Sequence, residues 1–541
     1  MTTAIYTNGK FYTFDGNQPL VETVVVRDGR IVDLGSHRDM LLQWGRPDVS
    51  VKNLDGKMVT PGLIDSHLHM SSIATKLLTT DLGKVTSKDN LLQVVKEQAE
   101  QTPANAWVQG RGWDENRFTD GVLPTIEELD RVAPHCPIFL TRVCGHVFLV
   151  NSKALEVAGY TPEMEIPSGG TVVVDPQTKK PTGLLLETAS NIIQRHIPEP
   201  TYLQFKDSLR QAIRLAIECG LTSVHTEDLR TYGGLDQTWQ LFDELLNQEQ
   251  NRLRCNLLIY YPHVKRLRER GMYAGYGNET LQIGAVKIFA DGSFGGRTAL
   301  LSVPYSDDPG NVGSEIHDTD TLHELFREAR AANMPIAVHT IGDQALDNVL
   351  DTLERFPAVA FRDRIIHTSL LRPDQLERLR RPSIIADIQP RFVVGDFPWV
   401  ADRIGRERAD QAYIWKSMLE AGIMCAGGSD APVEPVEPLL GIHAAVTRRA
   451  PQDTHEGYNP AQNLTVEEAL RVFTYGGALA TNEETIKGTL SRGKLADMTV
   501  YSRNLLEMED ADDLLKTQIE MTVIGGEISY EKDGNKNLCE I

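Results

Sequence analysis

The chain has 541 residues, of which 41% are hydrophobic, 24% charged and 7% aromatic. This balance belongs to a folded globular protein and excludes disordered, collagen-like and coiled-coil classes. The length exceeds what one hydrophobic core serves, so several domains or one large barrel with additions are expected. The net charge of −20 repels phosphate backbones and anionic lipid, which leaves a small molecule rather than nucleic acid or a membrane as the expected partner.

Residues 1 to about 57 read as short strands separated by turns. Asn8-Gly9 and Asp28-Gly29 are flanked by apolar runs such as Val24-Val25-Val26 and Ile31-Val32. The first fifteen residues hold no apolar stretch of the signal-peptide kind, and no run of eighteen apolar residues occurs, which points to a cytoplasmic protein. From Gly62 onward, apolar runs alternate with helical segments, the pattern of βα units on a parallel sheet. Candidate strands end near His67, His225, Tyr260, Phe289, His339, His367, Gln389 and Asp430, and eight such units are what a closed barrel needs. Phe205 to Cys219 carries Leu209, Ile213 and Ala216 on one face, with Gly220 where a helix stop belongs. Thr465-Val466-Glu467-Glu468 is a capping box that opens another helix.

Residues 72–204 add strand-like runs at Trp107–Gly110 and Pro137–Val143 that would make ten barrel strands. They are therefore assigned to an α+β insertion after the first strand, expected to cap the active site. At the far end, Met498–Tyr501, Met521–Ile524 and Ile528–Tyr530 resume the short-strand pattern. Neither end closes a sandwich alone, so residues 1–58 and 486–541 are expected to pair into one composite β-sandwich. The barrel then spans 59–71 and 205–485. The six cysteines (Cys136, Cys144, Cys219, Cys255, Cys425, Cys539) are far apart, so reduced thiols are expected rather than a disulfide framework. A homodimer is the base-rate oligomer.

The sharpest local signal is Pro61-Gly62-Leu63-Ile64-Asp65-Ser66-His67-Leu68-His69. Two histidines at i and i+2 of an extended segment point to the same side and can converge on one cation; the alternative is a polar strand end with two surface histidines. His339 and His367 each close an apolar run as well. Singly they read as satisfied strand-end residues, but in a parallel barrel all strand C-termini meet on one face, which brings the four together. Asp430 closes Met424-Cys425-Ala426-Gly427-Gly428-Ser429-Asp430. It reads either as a turn aspartate or as a carboxylate that binds a metal and accepts a proton. Lys287 sits in an otherwise apolar strand, where an ammonium is costly unless paired, for example with Asp291 or Asp430.

The ordered set His67-x-His69, Lys287, His339, His367 and Asp430 resembles the amidohydrolase superfamily of metal-dependent hydrolases. More narrowly it is similar to the YtcJ-like branch, kin to the N-substituted formamide deformylases. Gly112-Trp113-Asp114, Leu140-Thr141-Arg142-Val143 with Gly145-His146, Val150-Asn151-Ser152, Ala290-Asp291-Gly292-Ser293, Arg297-Thr298-Ala299 and His339-Thr340-Ile341-Gly342-Asp343 carry that likeness. It implies a distorted (β/α)8 TIM barrel with a β-sandwich from both chain ends. It also implies two divalent metal ions, with zinc suited to imidazole and carboxylate ligands as manganese, iron and nickel are. By this resemblance His67, His69 and Asp430 hold the first metal, His339 and His367 the second, and N6-carboxylated Lys287 bridges them. A hydroxide bridging the metals is then the expected nucleophile, with Asp430 handling its proton.

One departure is visible. The branch usually carries Glu-His and a polar pair ending in Gln on the sixth strand, whereas this chain reads Ile366-His367-Thr368-Ser369, so a neighbouring polar group is absent. His225 is a candidate ligand or substrate contact, with a structural hydrogen bond as the alternative. His146 and Trp113 are candidate substrate contacts, with core packing the stronger alternative for the tryptophan, while Asp291 and Arg297 either orient Lys287 or bind a polar group of the substrate. The expected activity is hydrolysis of a non-peptide C–N bond in an N-substituted amide, formamide or cyclic amide. An esterase or lactonase on the same site and a non-catalytic metal-binding regulator are the rivals.

Overall fold

In a parallel sheet covered on both faces, strands read as unbroken apolar runs, and such runs form the barrel. The computed structural model describes residues 3–119, 121–144, 146–397 and 399–532; Gly145 and Cys539 lie outside the described residues. Eight strands follow one another in space as in sequence: β1 (Leu63–Leu68), β2 (Leu221–Glu227), β3 (Arg254–Tyr260), β4 (Leu281–Phe289), β5 (Ile336–Thr340), β6 (Asp363–His367), β7 (Ile384–Ile388) and β8 (Cys425–Gly427). Every neighbouring pair is parallel. Strands β1, β2, β6 and β7 are buried along their whole length. The expected strand ends are therefore the observed ones to within a few residues, and the fold is a distorted TIM barrel.

The barrel is nearly closed between β8 and β1 by bonds just past the strands. Asp430 N–H donates to His67 O at 2.7 Å and His69 N–H to Ala431 O at 2.8 Å. The Asp65 carboxylate accepts the N–H groups of His67 and Ser429 at 3.0 and 3.1 Å. This closure requires glycine at 428, because a Cβ there would lie 2.6 Å from His67 N. The closing bonds also place His67, His69 and Asp430 side by side.

Both chain ends contribute to one eight-stranded sheet. Met58–Pro61 pairs antiparallel with Met498–Tyr501, joining the N-terminal strands to the C-terminal ones. Val24 and Ile31 at one end of the strand order share a single apolar core with Met521 and Val523 at the other. Strands so far apart in a sheet meet only if it coils back over its own core, as in a sandwich. The sheet runs to Pro61, and Gly62 then leads directly into β1.

By compactness the chain forms two units, Met1–Ile73 with Ala212–Ile541, and Ala74–Gln211. The second has its own six-stranded sheet in the order Thr171–Val174, Pro181–Leu186, Val147–Val150, Ile138–Arg142, Val108–Trp113, Thr80–Asp81. Four of those strands were not expected from the sequence, where turns near Pro167–Gly183 obscured the hairpin. The expected helix around Phe205–Cys219 is observed at Tyr202–Glu218, followed by Gly220 at φ +91°. The capping box of Thr465 and Glu468 opens Val466–Arg471. The five described cysteines are free thiols.

Candidate metal centre

Four histidines, one lysine and one aspartate meet at the C-terminal rim of the barrel, His67 and His69 from the end of β1 and the others from β4, β5, β6 and the segment after β8. His67 Nε2 lies 3.5 Å and His69 Nε2 3.1 Å from Asp430 Oδ1. Ligand atoms of these three residues all fall within 4.8 Å of one another, a spacing one cation can bridge. Lys287 Nζ is 3.2 Å from His67 Nε2. The His339 and His367 rings stand edge-on with centroids 4.5 Å apart, and His367 is 5.8 Å from His67. His367 and Asp430 hold their backbones at φ 76° and 58°, where the chain turns off the strand and swings the side chain inward.

The remaining hydrogen bonds orient the imidazoles. His69 Nδ1 donates to the Glu227 carbonyl at 2.8 Å, which leaves Nε2 toward Asp430. His339 Nε2 donates to the Gly292 carbonyl at 2.9 Å, which leaves Nδ1 as its lone-pair donor. His367 Nδ1 bonds Gln389 Oε1 at 2.7 Å, so its Nε2 is the free ligand atom. Gln389 follows β7 and supplies the polar group that the sixth-strand motif lacks. The sequence shows no sign of this, because the partner comes from the neighbouring strand.

Charge regulation favours metal binding. Burial, reinforced by Lys287 and the other imidazoles, drives His67 well below its ordinary value. Burial also lowers His339 strongly and brings His367 to about 4. These rings are neutral at pH 7 and keep the lone pair a metal needs. Burial brings Lys287 down to about 8 against the opposing charges of Asp430 and Glu227. Asp430 is held below the ordinary carboxylate range because the His69 hydrogen bond and nearby positive charge outweigh its burial.

The His367 shift has a measurable consequence. The unfolded chain takes up a proton on this ring below pH 6.5, while the folded chain takes it up only near 4. A depressed imidazole therefore contributes stability that is full above 6.5 and is lost as pH falls toward 4. The stability advantage of metal-free wild type over His367→Gln is expected to shrink by on the order of 3 kcal/mol across that window. Denaturant titrations of both proteins at several pH values measure it.

Of the other candidates, Asp291 borders the cluster, its Oδ1 3.8 Å from His339 Nε2. His225 is buried inside the barrel, lowered by burial and then by Arg364 and Lys487. Neither of its ring nitrogens has a hydrogen bond of ordinary geometry among the described residues. Asp291 is buried and accepts three backbone N–H groups, from Leu300, Ile341 and Gly342 at 2.8–3.0 Å, so it organises the loops after β4 and β5. Arg297 is committed to Asp307 through two hydrogen bonds of 3.1 and 2.9 Å. Trp113 is fully buried in the core of the second unit and its indole N–H donates to Leu140 O at 3.3 Å, which leaves no ring face for a ligand. His146 is an exposed residue of that unit, bonded to Glu187 at 2.8 Å. Trp113 thus packs in a core, and Arg297 makes an ion pair within its own loop region.

The sequence profile of the amidohydrolase family matches residues 50–530. The chain belongs to the amidohydrolase family. A Bacillus subtilis (strain 168) protein that carries the name amidohydrolase YtcJ is 40% identical over 531 residues, covering 98% of this chain and 99% of that one. The N-substituted formamide deformylase of Arthrobacter pascens is 26% identical over 553 residues, 98% of each chain. A metal-dependent hydrolase of Pyrococcus furiosus has a similar structure, with a TM-score of 0.76 at 30% identity, covering 93% of this chain and all of that one. This amidohydrolase is accordingly a metal-dependent hydrolase, and among its described residues no helix is long and apolar enough to cross a membrane.

Proposed function

We propose that this amidohydrolase cleaves a C–N bond outside peptides, in an N-substituted amide, a formamide or a cyclic amide, in the cytoplasm. The observation that carries this is the placement of Lys287 Nζ 3.2 Å from His67 Nε2, in a cluster of buried imidazoles with Asp430 beside it. An ammonium among neutral imidazoles is a poor arrangement, whereas an N6-carboxylated lysine turns the same position into an anionic ligand. His67, His69 and Asp430 would hold one divalent ion, zinc being well suited, and His339 and His367 a second. Carboxylated Lys287 would be shared by the two. Such ions, when bound, polarise a carbonyl and bring the acidity of water toward neutrality.

The chain's own residues account for the proton traffic. Asp430 is ionised at pH 7 and stands at the mouth of the cluster, where it takes a proton from the attacking water and returns it to the departing nitrogen. That second transfer matters more for an amine than for an alkoxide, because an amide nitrogen leaves only when protonated. Glu227, through its carbonyl, and Gln389 hold His69 and His367 in place while this happens. The deformylase name of the Arthrobacter pascens relative supports the same bond type.

Metal and carbon dioxide removal tests the reading. Protein stripped with chelator in CO2-depleted buffer is expected to lose its activity on N-formyl and N-acyl amines. Zinc with bicarbonate restores it to a content of about two ions per chain, while zinc alone restores it poorly. A content of one ion per chain, or full recovery without bicarbonate, overturns the role of Lys287. Turnover of matched esters with none of the amides overturns the C–N assignment.

A further inference from the structure

Arg230 stands three residues beyond β2, on the same rim as the histidines. Its backbone N–H is fixed by Glu227 Oε1 at 3.2 Å. Its guanidinium carbon lies 4.6 Å from the centroid of Phe289, the last residue of β4, and 5.4 Å from that of Tyr260, the last residue of β3. The Phe289 ring is in turn 5.3 Å from the His339 ring and 4.9 Å from Lys287 Nζ. One phenyl ring therefore separates Arg230 from the metal cluster. The two centroid distances put its guanidinium within about 10 Å of the His339 ring.

A guanidinium lying on aromatic faces keeps its in-plane N–H donors available, and their fork matches a carboxylate. Two other arginines after barrel strands are already committed, Arg297 to Asp307 and Arg391 to Glu434. Arg230 is exposed, and among the described residues no carboxylate pairs with its guanidinium. The setting makes a free cation here informative. The chain carries a net charge of −20, and the rim holds the carboxylates Glu227, Asp291 and Asp430, so an exposed guanidinium beside them is the side chain suited to draw in a carboxylate.

We infer that Arg230, braced by Phe289 and Tyr260, is a substrate subsite for a carboxylate on the non-reacting part of the amide. The substrate class is then amides that carry a carboxylate near the scissile bond, such as N-acyl amino acids. Phe289 lines the passage between this carboxylate and the reacting carbonyl. The inference rests on the amide-hydrolysing reading of the metal centre, and its test separates the two.

Metal-loaded wild type, Arg230→Met and Arg230→Lys are compared on N-formyl-phenylalanine and N-formyl-phenethylamine, which differ only in the carboxylate. Wild type is expected to favour the former in kcat/KM by about ten- to a hundredfold, the range of a hydrogen-bonded charge pair. The preference vanishes in Arg230→Met through KM and survives in part in Arg230→Lys. An equal preference in wild type and Arg230→Met overturns the subsite. A binding arm needs no turnover: calorimetric titration with 3-phenylpropionate and with 3-phenylpropanamide. If neither formamide is hydrolysed, the amidase reading fails. Tighter binding of the acid by wild type than by Arg230→Met then still supports the subsite, and equal binding overturns it. Equal metal content and equal melting temperatures across the variants exclude a folding effect.

Discussion

Asp430→Asn is expected to lower kcat/KM on the amide substrate by about three orders of magnitude, within the range of a positioned acid–base group. The substitution is isosteric, so the loss isolates proton transfer. Asparagine also tolerates the left-handed backbone that Asp430 adopts at φ 58°. The barrel-closing bond from residue 430 to His67 O uses only backbone and survives the change. On the proposed assignment four histidines and Lys287 remain as ligands, and metal content is expected to stay above one ion per chain. Steady-state kinetics with metal analysis on the same preparation checks both parts. A loss below tenfold with metal retained places the proton-handling group elsewhere.

The second large effect lies below the metal cluster. Arg364 and Asp387 face each other from β6 and β7, with Arg364 Nε 2.7 Å from Asp387 Oδ2 and both side chains almost fully buried. Arg364 also donates to the Ser66 carbonyl, the peptide unit that leads into His67. Asp387→Ala strands a buried guanidinium, and such breaks cost about 3–5 kcal/mol. The variant is expected to unfold at markedly lower denaturant and to bind metal more weakly, because the donor to the Ser66 carbonyl is no longer held by its carboxylate. The Arg364→Met/Asp387→Leu double variant removes both charges and is expected to recover most of the stability, since an apolar pair of similar volume replaces a desolvated one. If the single and double variants unfold alike, the stability rests on packing volume rather than on the charge pair.

The histidines were legible in the sequence because buried parallel strands are nearly pure apolar runs, so His67, His339 and His367 stand out where those runs end. Lys287 and Asp430 were legible for the same reason. Their partners were not. Gln389 reads as an ordinary residue before a proline, and its bond to His367 depends on the lateral register of β6 and β7. Arg297 looked like a substrate contact in its motif, yet it pairs with Asp307 ten residues away in the same loop region. Arg230 carried no signal at all, since its meaning lies in the rings of Phe289 and Tyr260 from two other strands. Trp113 was one tryptophan in a strand, and its burial depends on the helices and strands of its own unit.

By itself the sequence determined the barrel, the pairing of the chain ends, and which residue types stand at the strand termini. Hydrophobic period and residue chemistry are local properties of the chain, and they are printed in residue order. The tertiary structure alone decided which atoms of those residues face one another. Closure between β1 and β8 brings Asp430 to His67 and His69, and strand register chooses Gln389 for His367. Burial then keeps the His67, His339 and His367 imidazoles neutral and makes the lysine easier to deprotonate, because the energetic cost of a charge depends on what surrounds it in space and not on its neighbours along the chain.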